Sequence, residues 1–533
     1  MKKTTIFLTI CIVLILSCTM IISCSKNETY YEVNLNAENL VSISEGTVMQ
    51  TINGFGSSSC WWSQVVGGQS NADEIAQYLY GKDGVALNIY RYNIGGGSHD
   101  ILVYDNIDRT TESFLIQPTN YLDMSTSEIL NYVSNPNNYD FSKDANAQNM
   151  LKKCYDLGNI DTIVLFVNSP HYIMTKNHKT HGEVANDNNL PEENYQAYAQ
   201  YLMQILKYFV VDKAYPIKYL SPINEPQWEW GGDGASQEGC HYDPKNAADC
   251  INVVYNALKQ FNSTYNTNVK LDVYESGGWH TGSKTINGKS ISNADYLEEL
   301  RKLDFFSELD HISFHSYNSP TSKDMRIASK NELNPNNDYN VAITEFCQMD
   351  GGVDMSFGTA QYLSYVMAYD FKYLNAQEWT WWIGVSNPTT YNYNDGLCYT
   401  DWWDNENMSV AKATRSIAFE HYTHFVKPGD KYVEVKISNK KSQLKSLEKL
   451  QKFYSNATYD DDVYNVFTRD DGTVIIVYNN VTNYDYTWNF SDQYKSFASY
   501  ISTSADSALV ENKGNFTGSF TFPKNSITTL VLK

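Results

Sequence analysis

Between Ile52 and Trp382 the chain alternates short apolar, β-branched runs with segments whose apolar residues recur every three and four positions. The runs are 52–59, 86–95, 162–170, 219–226, 270–276, 311–317, 341–346 and 376–382. Helix-like segments between them include 72–80, 145–157, 193–211, 247–261, 294–303 and 359–373. Apolar spacing of three and four turns one helix face toward a core, whereas a continuous β-branched run suits a strand covered on both sides. Eight such repeats predict an α/β fold, a (β/α)8 TIM barrel with inserted loops.

After Pro428-Gly429 the rhythm changes to short strands separated by Asp/Asn/Gly turns: 432–437, 463–468, 474–478, 486–490, 498–502 and 526–532. With no helix-length connectors left, this tail reads as an antiparallel side β-sandwich. Residues 31–50 are also strand-like and are placed to complete it, so the sandwich is expected to be formed by both chain ends. The expected division is a leader at 1–24, N-terminal strands at 30–51, the barrel at 52–425 and the sandwich at 426–533.

The leader carries a positive start, Met1-Lys2-Lys3, and an apolar stretch over 6–22 that is short for a spanning helix. Ile21-Ile22-Ser23-Cys24 resembles a bacterial lipobox, with Cys24 as the lipidated first residue of the mature chain and Cys18 as a weaker alternative. The expectation is an exported protein, lipid-anchored to the cell envelope on the periplasmic or outward face of the outer membrane, and monomeric. A net charge of −21 argues against nucleic acid or another polyanion, since phosphate binding needs a basic surface. A neutral substrate follows. The 42 Tyr, 22 Phe and 11 Trp supply flat rings on which sugar C–H faces can lie.

Beyond the leader the cysteines are Cys60, Cys154, Cys240, Cys250, Cys347 and Cys398, with no metal-ligand spacing among them. Only Cys240 and Cys250 are near enough for a local disulfide. Cys347 reads as a packed thiol, because no histidine stands near it in sequence to activate it. His178 and His181 lie beside Glu183 but lack a third ligand at suitable spacing, so neither a metal nor a cofactor is expected. Gly95-Gly96-Gly97 is not followed by Gly-Lys-Ser/Thr and reads as a tight turn beneath a substrate rather than a phosphate loop.

Chemistry in such a barrel is expected where strands end. The predicted strand ends carry Arg91, Asn93, Asn168, Asn224, Glu225, Glu275, His315, Tyr317, Glu345, Trp381 and Trp382, which a purely structural core would not accommodate. Glu225 stands in Ser221-Pro222-Ile223-Asn224-Glu225-Pro226, where the proline is expected to hold it extended and aimed inward. Glu345 closes the buried run Val341-Ala342-Ile343-Thr344. Together they look like the acid/base and nucleophile of a retaining glycosidase, which needs one protonated and one ionised carboxyl group about 5–5.5 Å apart. Glu275 and Glu378 compete for either role without so specific a local motif. His315 and Tyr317 alternate on one strand and point the same way.

The ordered set Ile52-Asn53-Gly54-Phe55-Gly56-Ser57-Ser58, Tyr90-Arg91-Tyr92-Asn93-Ile94-Gly95-Gly96, Asn168-Ser169-Pro170, Ser221 to Pro226, His315-Ser316-Tyr317 and Thr344-Glu345-Phe346 resembles glycoside hydrolase family 30. The resemblance implies a retaining (β/α)8 enzyme with a side sandwich, Glu225 as acid/base and Glu345 as nucleophile. It also implies that Arg91, Asn224, His315, Tyr317 and Trp382 line the subsite of the cleaved sugar, with Trp61 a further aromatic candidate. The register of 378–382 leaves Trp381 and Trp382 as alternatives. Within the family, Gln227-Trp228-Glu229-Trp230, Ser236-Gln237-Glu238-Gly239 and Asp395-Gly396-Leu397 are most similar to endo-β-1,6-galactanases. Glucuronoxylan-cleaving members are expected to hold a uronate with an arginine after strand eight, and residues 385–411 contain neither Arg nor Lys. Exo-acting β-glycosidases of the family are a further alternative. A reading of another class is a non-catalytic surface glycan-binding lipoprotein that keeps the barrel.

Overall fold

The computed structural model describes residues 39–533 except 99–110, 233–234, 281–283, 287–288, 318–322, 350–351, 390–392, 403–408 and 439–462. The leader, Cys18, Cys24 and residues 30–38 lie outside the described residues.

A curled parallel sheet forms the larger part. Its strands, numbered within this sheet, are β1 (Gly54–Ser58), β2 (Ile89–Ile94), β3 (Thr162–Val167), β4 (Ile217–Ser221), β5 in two pieces (Lys270–Leu271 and Glu275–Ser276), β6 (Ile312–His315), β7 (Val341–Glu345) and β8 (Ala376–Ser386). The main ladder starts at the first piece of β5, runs through β4, β3, β2, β1, β8, β7 and β6, and ends at the second piece of β5, while Gly396–Tyr399 pairs with β8 off this path and Ala411–Lys412 pairs antiparallel to Gly396–Tyr399. One short segment therefore terminates both sides of the sheet. All six residues of β3, Thr-Ile-Val-Leu-Phe-Val, are buried. That requires apolar or satisfied side chains on both faces, which explains the unbroken β-branched run.

Helices Ala72–Tyr80, Ala145–Asp156, Tyr195–Leu206, Pro244–Tyr265, Asn293–Arg301 and Phe357–Tyr369 occupy the expected segments. Helices Thr126–Ser134, Lys323–Leu333 and Ser416–Thr423 were not singled out by periodicity. The first of these is nonetheless announced by a capping box, in which the Ser125 side chain accepts from the Glu128 N–H and Glu128 accepts from the Ser125 N–H. From Thr359 onward Phe357–Tyr369 is buried at every position, because it lies between the two sheets and has no solvent face.

The smaller part is a nine-stranded ladder in the order Val510–Asn515, Ser496–Ser502, Ser526–Leu532, Val474–Asn480, Val463–Thr468, Lys431–Ser438, Asn39–Thr51, Tyr486–Phe490, Ser519–Phe522. All its pairings are antiparallel except Asn39–Thr51 with Tyr486–Phe490, so the N-terminal strand enters this sheet as expected. Strand Val474–Asn480 is buried throughout, with Val474, Ile476 and Tyr478 in the sheet's own core and Ile475 and Val477 in the core shared with the parallel sheet. Period-two alternation thus welds the two parts together. Val510–Asn515 escaped sequence reading because all six residues are exposed and carry no apolar alternation.

The cysteines beyond the leader are all buried and unbridged, Cys240 and Cys250 included. Among the described residues no helix is long and apolar enough to cross a membrane.

Candidate active site

Polar side chains converge where β2, β4, β5, β6 and β7 end. Arg91 of β2 is at the centre and is 1% exposed. Its guanidinium lies 3.5 Å over the Phe166 ring. Nη1 donates to Glu345 Oε2 at 2.8 Å, and Nη2 donates to Asn224 Oδ1 at 3.0 Å while lying 3.0 Å from Glu275 Oε2. Burial opposes the Arg91 charge, and the Glu275 and Glu345 carboxylates more than offset it. Asn224 uses its carbonyl on Arg91, and its side-chain NH2 is a donor of the kind suited to a sugar hydroxyl.

Glu225 follows β4. Pro226 does not hold it extended as the sequence suggested: its φ is 47°, in the left-handed region. A non-glycine residue there costs roughly 1–3 kcal/mol and persists only where its surroundings fix it. Here the Glu225 N–H donates to the Glu275 carbonyl at 2.6 Å, and the Glu225 carbonyl accepts from the Trp228 N–H at 3.1 Å and from Trp230 Nε1 at 2.9 Å. Backbone bonds rather than the proline aim the carboxyl group. Its Oε1 is 2.8 Å from His315 Nδ1.

His315 of β6 pairs across the ladder with Glu345 of β7, just past a register irregularity. Nδ1 also lies 3.6 Å from Glu345 Oε1, and Nε2 lies 3.5 Å from Glu275 Oε2. Burial alone pushes an imidazole toward neutrality, yet the charges of Glu345 and Glu225 and the bonds to Glu225 and Glu275 raise His315 to about 10. Burial raises Glu345 to about 7, with Glu225 and Glu275 adding to the rise and His315 and Arg91 pulling against it. Glu225, His315 and Glu345 each bring one polar atom within 4.8 Å of the others.

Aromatic walls complete the cleft. Trp382, rather than Trp381, lies beside Arg91. Trp382 meets Trp61 edge-on at 5.3 Å and lies 5.7 Å from the Arg91 guanidinium. Trp381 turns away, donates Nε1 to the Asp395 carbonyl and packs against Phe346. The pairing of β8 with β1 slips between Trp381 and Ile383, the irregularity that decides the register. The Tyr317 hydroxyl is 3.4 Å from Cys347 Sγ, in line with the packed-thiol reading, and Asn168 Nδ2 donates to Cys60 Sγ at 3.7 Å. Asn93 Nδ2 donates to Thr111 Oγ1 at 3.1 Å.

The competing carboxylates separate. Glu275 is fully buried behind Arg91 and His315. Glu378 is level with Ala342 near the other end of the strands, with His311, Lys218, Asp272 and Glu275 as its charged neighbours. His178 packs edge-on against Tyr121, and His181 Nδ1 contacts the Gly182 carbonyl. Two buried groups went unread. Glu238 accepts from the Gly96 and Ser98 N–H groups and from Ser98 Oγ, pinning the glycine turn, and burial raises it to about 7. Arg415 follows Lys412 past the Arg- and Lys-free window; it is 1% exposed, 5.5 Å from the Trp381 ring and bonded to Asn394.

A 225-residue stretch is 28% identical to an endo-β-1,6-galactanase of Hypocrea rufa, covering 40% of this chain and 45% of that relative, so the match spans under half of the relative's length. The fold is similar to that of a conserved exported protein from Bacteroides fragilis (TM-score 0.72, 20% identity, 92% of this chain and 100% of that one). It is also similar to the catalytic domain of the family 30 xylanase C from Talaromyces cellulolyticus (TM-score 0.67, 18% identity, 93% and 100%). The profile described as O-Glycosyl hydrolase family 30 matches residues 38–399, well over half of the chain. The protein is thus a glycoside hydrolase, and it belongs to O-glycosyl hydrolase family 30.

Proposed function

We propose that this glycoside hydrolase retains anomeric configuration, with Glu345 as nucleophile and Glu225 as acid/base, inside a closed (β/α)8 barrel flanked by a side sandwich. The observation that carries the mechanism is the spacing of the two carboxyl groups, whose nearest oxygens lie within 4.8 Å. Retaining enzymes hold the pair about 5–5.5 Å apart, whereas inverting enzymes leave about 6.5–9.5 Å for a water. Both Glu345 oxygens face cations, Oε2 toward Arg91 and Oε1 toward His315, which favours the ionised form. Glu225 Oε1 is taken up by His315, so we place the catalytic proton on Glu225 Oε2.

In the first step Glu225 Oε2 gives its proton to the glycosidic oxygen as Glu345 Oε1 attacks the anomeric carbon and the leaving chain departs. In the second, Glu225 takes a proton from water, which displaces Glu345 from the sugar and regenerates both groups. The amide of Asn224 and the rings of Trp382 and Trp61 hold the sugar.

For substrate we favour the interior of neutral β-1,6-linked galactan, cleaved by an exported protein anchored through Cys24. Support comes from the named activity of the fungal relative and from the lack of any Arg or Lys over residues 385–411. Desolvating a uronate without a partner costs several kcal/mol. A second reading, xylan cleavage, draws on the xylanase of similar fold. Purified protein assayed in parallel on β-1,6-galactan, β-1,6-glucan and glucuronoxylan separates these readings. Internal scission of galactan supports the first, and a clear preference for the uronate-bearing polymer overturns it.

A further inference from the structure

Glu275 is the third carboxylate of the cluster, and its surroundings are unlike those of the other two. It is completely buried at the break in β5, and its own backbone clasps the Glu225 segment: the Glu275 N–H donates to the Ile223 carbonyl at 2.9 Å and its carbonyl accepts from the Glu225 N–H. Its Oε2 lies 3.0 Å from Arg91 Nη2 and 3.5 Å from His315 Nε2, but neither carboxylate oxygen has a well-aligned hydrogen-bond donor. A buried carboxylate without aligned donors contributes charge more than geometry, and costs several kcal/mol unless neighbouring charges offset it. Burial would raise its pKa; the Arg91 charge and His315 instead hold it down at about 2.

We propose that Glu275 is a positioning residue for the acid/base, keeping His315 an imidazolium so that Nδ1–H is donated to Glu225 Oε1 and the catalytic proton is confined to Oε2. This rests on the assignment of Glu225 and Glu345 as the reacting pair. With Glu225 protonated, the cations Arg91 and His315 balance the anions Glu275 and Glu345. Without the Glu275 charge, the neutral cluster is reached by loss of the His315 proton. Nδ1 then accepts from Glu225 and draws the proton inward to Oε1, away from the glycosidic oxygen. The effect falls on proton delivery, not on sugar binding.

Full-length Glu275→Gln and Glu275→Asp variants test this with two readouts. In ¹⁵N-histidine NMR, His315 of the wild type keeps the imidazolium pattern above pH 9, and in Glu275→Gln it titrates at least about one pH unit lower. In steady-state kinetics, Glu275→Gln lowers kcat on the natural glycan about 100-fold, within the range of general-acid catalysis, and on an activated aryl glycoside less than tenfold. Both limbs of its kcat/KM profile move to lower pH, because removing an anion makes every neighbouring group more acidic. Glu275→Asp returns the profile to its position. A His315 titration unchanged in Glu275→Gln, or an equal loss on both substrates with an unmoved profile, overturns the proposal. If the protein cleaves no glycoside, the assignment of the reacting pair fails on its own, and the NMR titration still decides whether Glu275 sets the charge of His315.

Discussion

His315 in the cleft and His421 at the seam between the two sheets are both fully buried, yet they are driven in opposite directions. His315 faces three carboxylates and is raised to about 10. His421, on helix Ser416–Thr423, faces hydroxyls: Thr529 Oγ1 lies 2.9 Å from Nδ1 and Ser502 Oγ 2.9 Å from Nε2. Burial pushes it down to about 3, with the nearby His424 adding to the fall. The desolvation is shared, so the partners decide. Hydroxyls can donate or accept and suit a neutral ring, whereas carboxylates only accept and demand a charged one. The seam is thereby fixed in one protonation state, and the cleft holds a mobile proton among fixed charges.

The largest predicted effect comes from dismantling the charged side of this contrast. Glu345→Gln should lower turnover by about 10⁴–10⁶-fold, as loss of a covalent nucleophile does. Glu225→Gln should lower it by about 10²–10⁴-fold on a natural glycan, but with an activated aryl glycoside it should still form the glycosyl-enzyme and be rescued by azide.

Next in size is the central cation. Arg91→Met leaves Glu275 and Glu345 without their guanidinium and should cost about 3–5 kcal/mol in a denaturant titration at neutral pH. A smaller loss would mean that His315 alone can hold the carboxylates.

The neutral side of the contrast predicts acid sensitivity. The folded-state pKa of His421 lies below its unfolded value of about 6.5, so its contribution is fully present above pH 6.5 and is lost as pH falls toward 3. The expected slope is about 1.4 kcal/mol per pH unit in that window. His421→Gln should remove that component, seen as a shallower decline of stability between pH 6.5 and 4 relative to wild type. Equal slopes would mean that the seam already tolerates the charge.

The smallest effects fall on two adjacent tryptophans. Trp382→Ala should raise KM about tenfold, in keeping with a stacking platform worth roughly 1 kcal/mol beyond its buried area. Trp381→Ala should instead destabilise by about 3–5 kcal/mol, as removal of a packed ring does, with KM little changed. The reverse outcome would return Trp381 to the cleft.

Much of this was legible in the sequence because parallel strands covered on both faces require uninterrupted apolar runs, and Arg91, Glu225 and Glu345 interrupt or end such runs. What sequence could not supply were facts of cross-strand pairing. Glu275 looked like a rival nucleophile because its place behind Arg91 follows from the break in β5. Glu225 looked extended because the proline rule is local, while the bonds that hold it at φ 47° come from Glu275, Trp228 and Trp230. Exposed strand Val510–Asn515 left no apolar signature to read.

The double displacement by Glu225 and Glu345 is tested most directly by proton NMR of the first product released from whichever β-linked polysaccharide the protein cleaves fastest. Two successive inversions at the anomeric carbon cancel, so the β-anomer should appear first and the α-anomer only later by mutarotation. An α-anomer appearing first would contradict the account, because water rather than Glu345 would then be the attacking group.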